Sequence, residues 1–407
     1  MVNVIGLGYI GLPTALMLAS HGVEVVGTDY NARVVDRLNA GETTFREKGL
    51  DEMFAKALEA GIRFTTNYQV ADIYIVSVPT PYDHFSKQID AGYVVEAVRN
   101  VLGVCRHGAT LIIESTISPG TIDRHVRPLL AEYGFEADGD IHLVHAPERI
   151  LPGNMVYELE HNNRTIGADD PQTGEAVKQL YASFCRGDIV VTDIRTAEMT
   201  KVVENTFRAV NIAFANELMR LCRHVGMDVY ELIRICNMHP RVNIMTPGPG
   251  VGGHCIPVDP WFLVGDYPQL TKMIASCLEV NASQPEYVLE RIGEIMRQNG
   301  LTDCSRVGLY GLTYKENVDD YRESPSIQLL EAQRRHLATP LKSFDPYLAD
   351  KHIVDNQYAD FDAFVDAVDM VVVMVKHDHI KANWDRLRDK IVLDCHHICP
   401  LPNANLL

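Results

Sequence analysis

Six residues near the start of the chain, Gly6-Leu7-Gly8-Tyr9-Ile10-Gly11, restrict its fold more than any other feature. They follow the apolar run Val2-Asn3-Val4-Ile5 and open a helix-forming segment, so the spacing G-x-G-x-x-G lies between a strand and a helix. In that setting each glycine has a task. The first makes a tight turn, the second lets backbone approach a pyrophosphate, and the third lets helix pack on strand, with the phosphates at the positive helix end. Asp29 closes the next apolar run, where its carboxylate accepts from a ribose 2′-hydroxyl and repels a 2′-phosphate. Gly6, Gly8, Gly11 and Asp29 therefore point to NAD as cofactor, in preference to NADP.

The pattern then repeats along the chain. Short apolar runs, VEVVGTD, DIYIVSVPT, ATLIIEST, IHLVHAPE and GDIVVTD, alternate with segments of helical period such as residues 91–104. Such runs mark parallel strands covered on both faces, and residues 1–190 read as a doubly wound α/β domain that binds NAD. Residues 196–225 carry apolar side chains at helical spacing with no internal proline or glycine, which predicts one long helix. A second helical stretch over 269–299 follows a glycine-rich loop. Residues 191–298 are expected to form a central helical region that links and dimerises, although packing within one subunit suits the pattern nearly as well. RVGLYGL, SPSIQLLEAQRRH, PLKSFDP, DMVVVMVKH and KIVLDCH resume the alternation. Residues 299–407 are thus a second Rossmann-like domain.

Composition sets outer bounds on function. A net charge of -17 over 407 residues opposes binding to nucleic acid or an anionic membrane, so an anionic ligand must be held by local cations and helix ends. The apolar N-terminus lacks a basic stretch and is interrupted by glycines and a proline, which favours folded structure over a leader. No run of apolar residues is long enough to span a bilayer. The nine cysteines have no framework spacing, and a reducing cytoplasm is the expected location.

Polar groups at strand ends are site candidates, because the carboxyl ends of parallel strands line the ligand crevice. Thr80 in Val78-Pro79-Thr80-Pro81, Thr116 in Glu114-Ser115-Thr116, and Glu148-Arg149 all stand there. The competing readings are a turn or cap residue for the threonines and a surface ion pair for Glu148-Arg149. Lys201, Asn205 and Arg208 fall on one face of the long helix, either solvated or turned to a cleft. Phe207, Val210 and Phe214 leave little of that helix polar. His239, Arg241 and Asn243 supply further donors just before GPGVGGHCIPVDPWF, residues 248–262. Glycine and proline make this a rigid loop with exposed amides, in which Cys255 is either a small buried hydrophobe or a held reactive thiol, with Asp259 four residues on. The cluster Asp394-Cys395-His396-His397-Ile398-Cys399 lies on a strand, where successive side chains point to opposite faces, so no metal site is expected.

Taken in order, GLGYIGLP, VPTP, EST, PERILPG, TAEMTKVVENTFRAVNIAFANE, HPRVNI, GPGVGGHCIPVDPWF and GLTYKENVDDYRESP resemble the nucleotide-sugar 6-dehydrogenases over essentially the whole chain. HPRVN and HCIPVDPWF resemble the UDP-aminosugar branch. The resemblance implies a four-electron oxidation of a UDP-sugar at C6 with two NAD, UDP-N-acetyl-D-mannosamine being the expected sugar and UDP-N-acetylglucosamine, UDP-N-acetylgalactosamine or UDP-glucose the alternatives. It implies that Cys255 is a nucleophile forming a thiohemiacetal and then a thioester, which oxygen would form less usefully. Lys201 and Asn205 are implied as acid/base and oxyanion stabilisers, Asp259 as the acid that orders water, and Glu148 as a helper in hydrolysis. Tyr9, Ile10, Asp29, Arg33, Thr80 and Thr116 are implied NAD contacts, with Arg322 near the nicotinamide. Arg149, Ile150, Arg208, Gly252, Tyr314 and Lys315 are implied sugar-nucleotide contacts. His239 and Arg241 resemble residues that reach the sugar from a neighbouring subunit, which implies a homodimer or higher oligomer.

The chain departs from the family pattern at Tyr314 and Glu316, commonly Phe and Pro, and at Ile117-Ser118. It stops shortly after Pro400, so no contact from a longer tail is expected. A two-electron hydroxyacid dehydrogenase or a non-enzymatic NAD-binding regulator would share the N-terminal fold but would not require the Cys255 loop.

Overall fold

The computed structural model describes residues 1–83, 85–137, 139–336 and 340–407. The chain forms two compact units, one of Met1–Glu204 with Trp261–Tyr267 and the other of Asn205–Pro260 with Pro268–Leu407.

The first unit is built on eight strands: β1 Val2–Ile5, β2 Val25–Thr28, β3 Arg63–Thr65, β4 Ile73–Val76, β5 Ala109–Ile113, β6 Ile141–His145, β7 Arg164–Ala168 and β8 Ile189–Thr192. Their order is β3-β2-β1-β4-β5-β6-β7-β8, all parallel except the β6–β7 pair. Alternate residues serve opposite faces, and both faces are buried. Val4, Ile75, Ile112 and Val144 belong to one core cluster, while Ile5, Val76, Ile113 and Leu143 belong to the other. That double burial explains why these strands read as unbroken apolar runs. The order reverses between β1 and β4, so a crevice opens beyond their carboxyl ends.

The second unit repeats the plan with six parallel strands: β9 Val307–Tyr310, β10 Lys342–Phe344, β11 Gln357–Tyr358, β12 Met370–Val373, β13 Ile391–Asp394 and β14 Asn405–Leu406. Their order, β11-β10-β9-β12-β13-β14, reverses between β9 and β12.

Helix Ile194–Val225 runs 32 residues, two longer at its start than the pattern over 196–225 predicts. The stretch 269–299 is two helices, Lys272–Ala282 and Gln284–Gln298. Pro285 stands in the first turn of the second, where a missing N–H costs nothing but where the preceding helix cannot continue. The long helix is inverted relative to an ordinary surface helix. Lys201 and Asn205 are 8% and 5% exposed, whereas Val203, Phe207, Phe214, Leu221 and Val225 are exposed. The cluster at 394–399 is not a strand as expected: β13 ends at Asp394, whose carboxylate accepts from the amides of His396, Ile398 and Cys399 and so folds the following residues into a bend, and Cys395 is buried.

Candidate active site

The first crevice begins at the turn after β1. Gly6 has φ +88°, and a Cβ there would lie 2.4 Å from the Ser77 carbonyl oxygen; one on Gly11 would lie 1.9 Å from that of Gly6. A Cβ on exposed Gly8 would meet nothing within 4 Å. Two glycines are thus fixed by packing, while the middle one is fixed only if something outside the chain approaches it. Ile10 is the N-cap residue of helix Gly11–Ser20 and supplies no side-chain cap. Tyr9 stacks on Phe45 with ring centroids 4.3 Å apart.

Asp29 completes this cradle. Its Oδ2 accepts from the Leu7 amide at 2.8 Å and its Oδ1 from the Asn31 amide at 2.9 Å, which leaves each oxygen further lone pairs. Arg33 is exposed on the first turn of helix Ala32–Asn39. Thr80 donates from Oγ1 to the Thr116 carbonyl at 2.7 Å, so the ends of β4 and β5 are tied together. An NAD-sized dinucleotide fits this set: open backbone at Gly8, an acid with spare acceptors, and two threonines at neighbouring strand ends.

Behind the strand ends lies a buried ionic network. Glu114 accepts from Thr14, Ser77 and Tyr181. Burial, and then the nearby Glu148, push its carboxyl up to about 7 against the pull of Arg164. Arg164 pairs with Glu148 and stacks over the Tyr181 ring at 4.6 Å. Glu148 also accepts from the Arg149 amide at 2.7 Å, and its side chain is 3% exposed. The Arg149 guanidinium is committed within this unit, bidentate to Glu204 at 2.9 and 2.6 Å and bonded to the Asn163 carbonyl and Thr165 Oγ1. Ile150 is packed in the core. The side chain of Lys201, although the residue is nine-tenths buried, makes no hydrogen bond or ion pair among the described residues.

In the second unit, the Cys255 carbonyl accepts from Val258 and Asp259 amides at 3.1 and 2.8 Å, closing a turn into helix Asp259–Asp266. Cys255 is half-buried. Asn205 donates from Nδ2 to Asp259 Oδ2 at 2.6 Å, both residues buried. Arg208, half-buried on the same helix, pairs with no acid among the described residues. His239, Arg241 and Asn243 are exposed, with the Arg241 amide 3.3 Å from His239 Nδ1.

The loop lies on the segment that follows β9. Gly253 has φ +86°, donates to the Arg322 carbonyl at 3.0 Å, and would place a Cβ 2.8 Å from the Tyr314 ring; a Cβ on Gly252 would sit 2.6 Å from Tyr314 Cβ. Arg322 is itself held by Asp320, at 2.6 Å from NH2 to Oδ2. A cavity of about 50 Å³ at the β9/β12 reversal is lined by Gly250, Tyr314, Lys315, Pro325, Lys376 and His396 among others. Lys315 and Lys376 are the local cations that an acidic chain needs to hold a phosphate.

The two crevices are built alike at their first turn. Gly6 and Gly311 both have positive φ, and each donates at 2.8 Å to the end of the neighbouring strand, at Thr28 and Phe344. Asp345, at the end of β10, accepts from the Leu312 amide at 2.7 Å as Asp29 does from Leu7. Asp345 is fully buried, however, and also accepts from the Thr313 and Tyr347 amides and from His377 Nε2 at 3.2 Å. His377 Nδ1 accepts from the Asn317 amide at 2.9 Å, which fixes the proton on Nε2. Asp345 is therefore closed to a ligand at the position where Asp29 keeps acceptors open. Neither Arg164 nor His377 carries a local sequence signal; each is defined by partners distant in the chain.

These features define a chain with two nucleotide-binding crevices and a glycine-held cysteine. Residues 1–185 match the NAD binding domain of the UDP-glucose/GDP-mannose dehydrogenase family, residues 195–283 its central domain and residues 308–400 its UDP binding domain. The chain belongs to that family, and NAD is the cofactor of its first domain. An NDP-N-acetyl-D-galactosaminuronic acid dehydrogenase of Ralstonia nicotianae is 40% identical over 406 residues, covering 97% of this chain and 95% of that one. A UDP-N-acetyl-D-mannosamine dehydrogenase of Methanocaldococcus jannaschii is 39% identical over 409 residues, covering 98% and 92%. Among solved structures, the UDP-N-acetyl-mannosamine dehydrogenase of Staphylococcus aureus has a TM-score of 0.89 at 38% identity, covering 100% of this chain and 97% of that one. The UDP-N-acetyl-mannosamine dehydrogenase of Pyrococcus horikoshii has a TM-score of 0.91 at 34% identity, covering 100% and 98%.

Proposed function

We propose that this protein oxidises the C6 primary alcohol of a UDP-sugar to a carboxylate, with UDP-N-acetyl-D-mannosamine as substrate and UDP-N-acetyl-D-mannosaminuronate as product. The observation that carries this reading is the half-buried Cys255 on a loop bonded at one end to the Asn205–Asp259 pair and seated on the Tyr314-Lys315 segment of the second crevice. The nicotinamide, when bound, supplies the hydride acceptor for both two-electron oxidations. Gly6, Gly8, Tyr9, Ile10, Gly11, Asp29, Arg33, Thr80, Thr116 and Arg322 are the proposed residues that hold it.

Cys255 Sγ, as thiolate, adds to the C6 carbon of the aldehyde stage. The sulfur–carbon bond retains the intermediate, and loss of a second hydride makes a thioester that water opens. Lys201, whose side chain has no competing partner among the described residues, stabilises oxygen charge at C6 and exchanges its proton; Asn205 donates beside it. Asp259, oriented by Asn205, directs the attacking water, and Glu148 assists from its bond to Arg164. Arg149, Ile150, Arg208, His239, Arg241, Asn243, Gly252, Tyr314 and Lys315 are the proposed sugar-nucleotide contacts.

A second copy of the chain is the proposed partner. Phe207, Phe214 and Leu221 are exposed at seven-residue spacing, with Val203 and Val225 on the same stripe, which is the seam that a pair of identical helices can close. Arg241 then reaches the partner's site. A UDP-N-acetyl-D-galactosamine substrate is the second reading, favoured by the name of the Ralstonia relative, an NDP-N-acetyl-D-galactosaminuronic acid dehydrogenase.

The test follows NADH with four UDP-sugars side by side. Two NADH per UDP-N-acetyl-D-mannosamine, abolished in Cys255→Ala, is the expected result. Turnover with UDP-glucose alone would refute the aminosugar assignment.

A further inference from the structure

The start of the Cys255 loop is gripped by side chains that the proposed chemistry does not use. Gly248 donates its amide to Asn216 Oδ1 at 3.0 Å, and its carbonyl accepts from Gln284 Nε2 at 2.8 Å. Asn216 and Gln284 are both fully buried. Their remaining polar atoms are also satisfied in one directed chain. Arg220 Nε donates to Gln284 Oε1 at 2.8 Å, Asn216 Nδ2 donates to Asn281 Oδ1 at 3.1 Å, and Asn281 Nδ2 donates to the Ala209 carbonyl at 2.9 Å. Arg220 is held in turn by Ser283 and by the Tyr287 ring.

Buried amides cost stability unless every donor and acceptor is matched, and apolar side chains of similar size would fill the same space at less risk. A fully matched chain that ends on both polar groups of one backbone residue specifies position. The geometry of the helix supports that purpose. Asn205 and Asn216 are eleven residues apart, about three turns, so they share a face of the helix Ile194–Val225. One pins Asp259 and the other pins Gly248, on either side of Cys255.

We propose that Asn216 and Gln284 are positioning residues that clamp Gly248 and thereby set where Cys255 meets the C6 carbon. The inference rests on the reading of Cys255 as nucleophile. It assigns the clamp to the chemical step and not to cofactor affinity, because none of Asn216, Gln284 and Gly248 is among the residues proposed to hold NAD.

The experiment uses the full-length protein with Asn216→Leu and Gln284→Leu, measured with NAD and UDP-N-acetyl-D-mannosamine. A displacement of the loop by about 1 Å costs on the order of 100-fold in kcat. The clamp predicts that loss with the KM for NAD unchanged within about twofold. It also predicts that iodoacetate alkylates Cys255, followed by peptide mass spectrometry, about tenfold faster in the loosened loop. Should either leucine variant not fold, Gln284→Glu, which preserves volume and removes the Nε2 donor to the Gly248 carbonyl, carries the same prediction. Wild-type kcat and alkylation rate in a folded variant would overturn the clamp, as would a kcat loss matched by an equal rise in the KM for NAD. Cys255→Ala is assayed in parallel. If it retained turnover, the nucleophile reading would fall, while the alkylation rates would still judge the clamp.

Discussion

At the scale of single residues, the network around Glu114 sets how the first unit responds to pH. Its carboxyl stands at about 7, against an ordinary 4.5, so the folded state holds that proton more tightly than the unfolded chain does. The associated stability is fully present below the unfolded value and is lost as pH rises through about 7. Glu114→Gln removes the titration. Between pH 5 and pH 8 the wild type should lose roughly 2–3 kcal/mol more than the variant in urea unfolding. Equal slopes in the two proteins would show that Glu114 does not hold a proton in the fold. The Arg164–Glu148 pair beside it is a different case, because removing either partner leaves a buried charge without its counterpart. Glu148 therefore needs Arg164 before it can serve any chemistry.

At the scale of elements, the long helix carries two opposite surfaces, buried polar groups at Lys201, Asn205 and Asn216 and an exposed apolar stripe through Phe207, Phe214 and Leu221. If the stripe closes on a second copy, Phe207→Glu with Phe214→Glu should halve the mass in sedimentation equilibrium; a wild-type monomer would contradict it. The amino-acid pattern predicted this helix because its apolar residues recur at 3.6-residue spacing wherever they face. It could not say which face is wet. The same limit applies elsewhere. Strands such as β1, β4 and β12 were legible because both of their faces are buried. β7, with Arg164, Thr165 and Gly167, and the very short β3, β11 and β14 carry too little apolar sequence to stand out. Gly6 and Gly11 were readable because the G-x-G-x-x-G spacing between a strand and a helix names them, although the packing that forbids a Cβ at Gly6 comes from distant Ser77. Asn216, Gln284, Arg164 and His377 were not, since their meaning comes from residues far along the chain.

At the scale of the whole molecule, one plan is used twice with different endings. Both sheets turn at a glycine after the first strand and both carry an aspartate on the second. Asp29 retains acceptors for a ligand, whereas Asp345 is sealed by His377 and three amides. In a chain of charge -17, Lys315 and Lys376 bring local positive charge to the cavity of the second crevice, which the proposed anionic substrate requires. In the proposed reaction, a bond from Cys255 to C6 keeps one sugar in place through two oxidations. The direct measurement is rapid acid quench of the protein turning over UDP-N-acetyl-D-mannosamine with NAD, followed by peptide mass spectrometry. The account predicts an acyl adduct on the peptide that contains Cys255; two NADH per sugar with that cysteine never modified would contradict it.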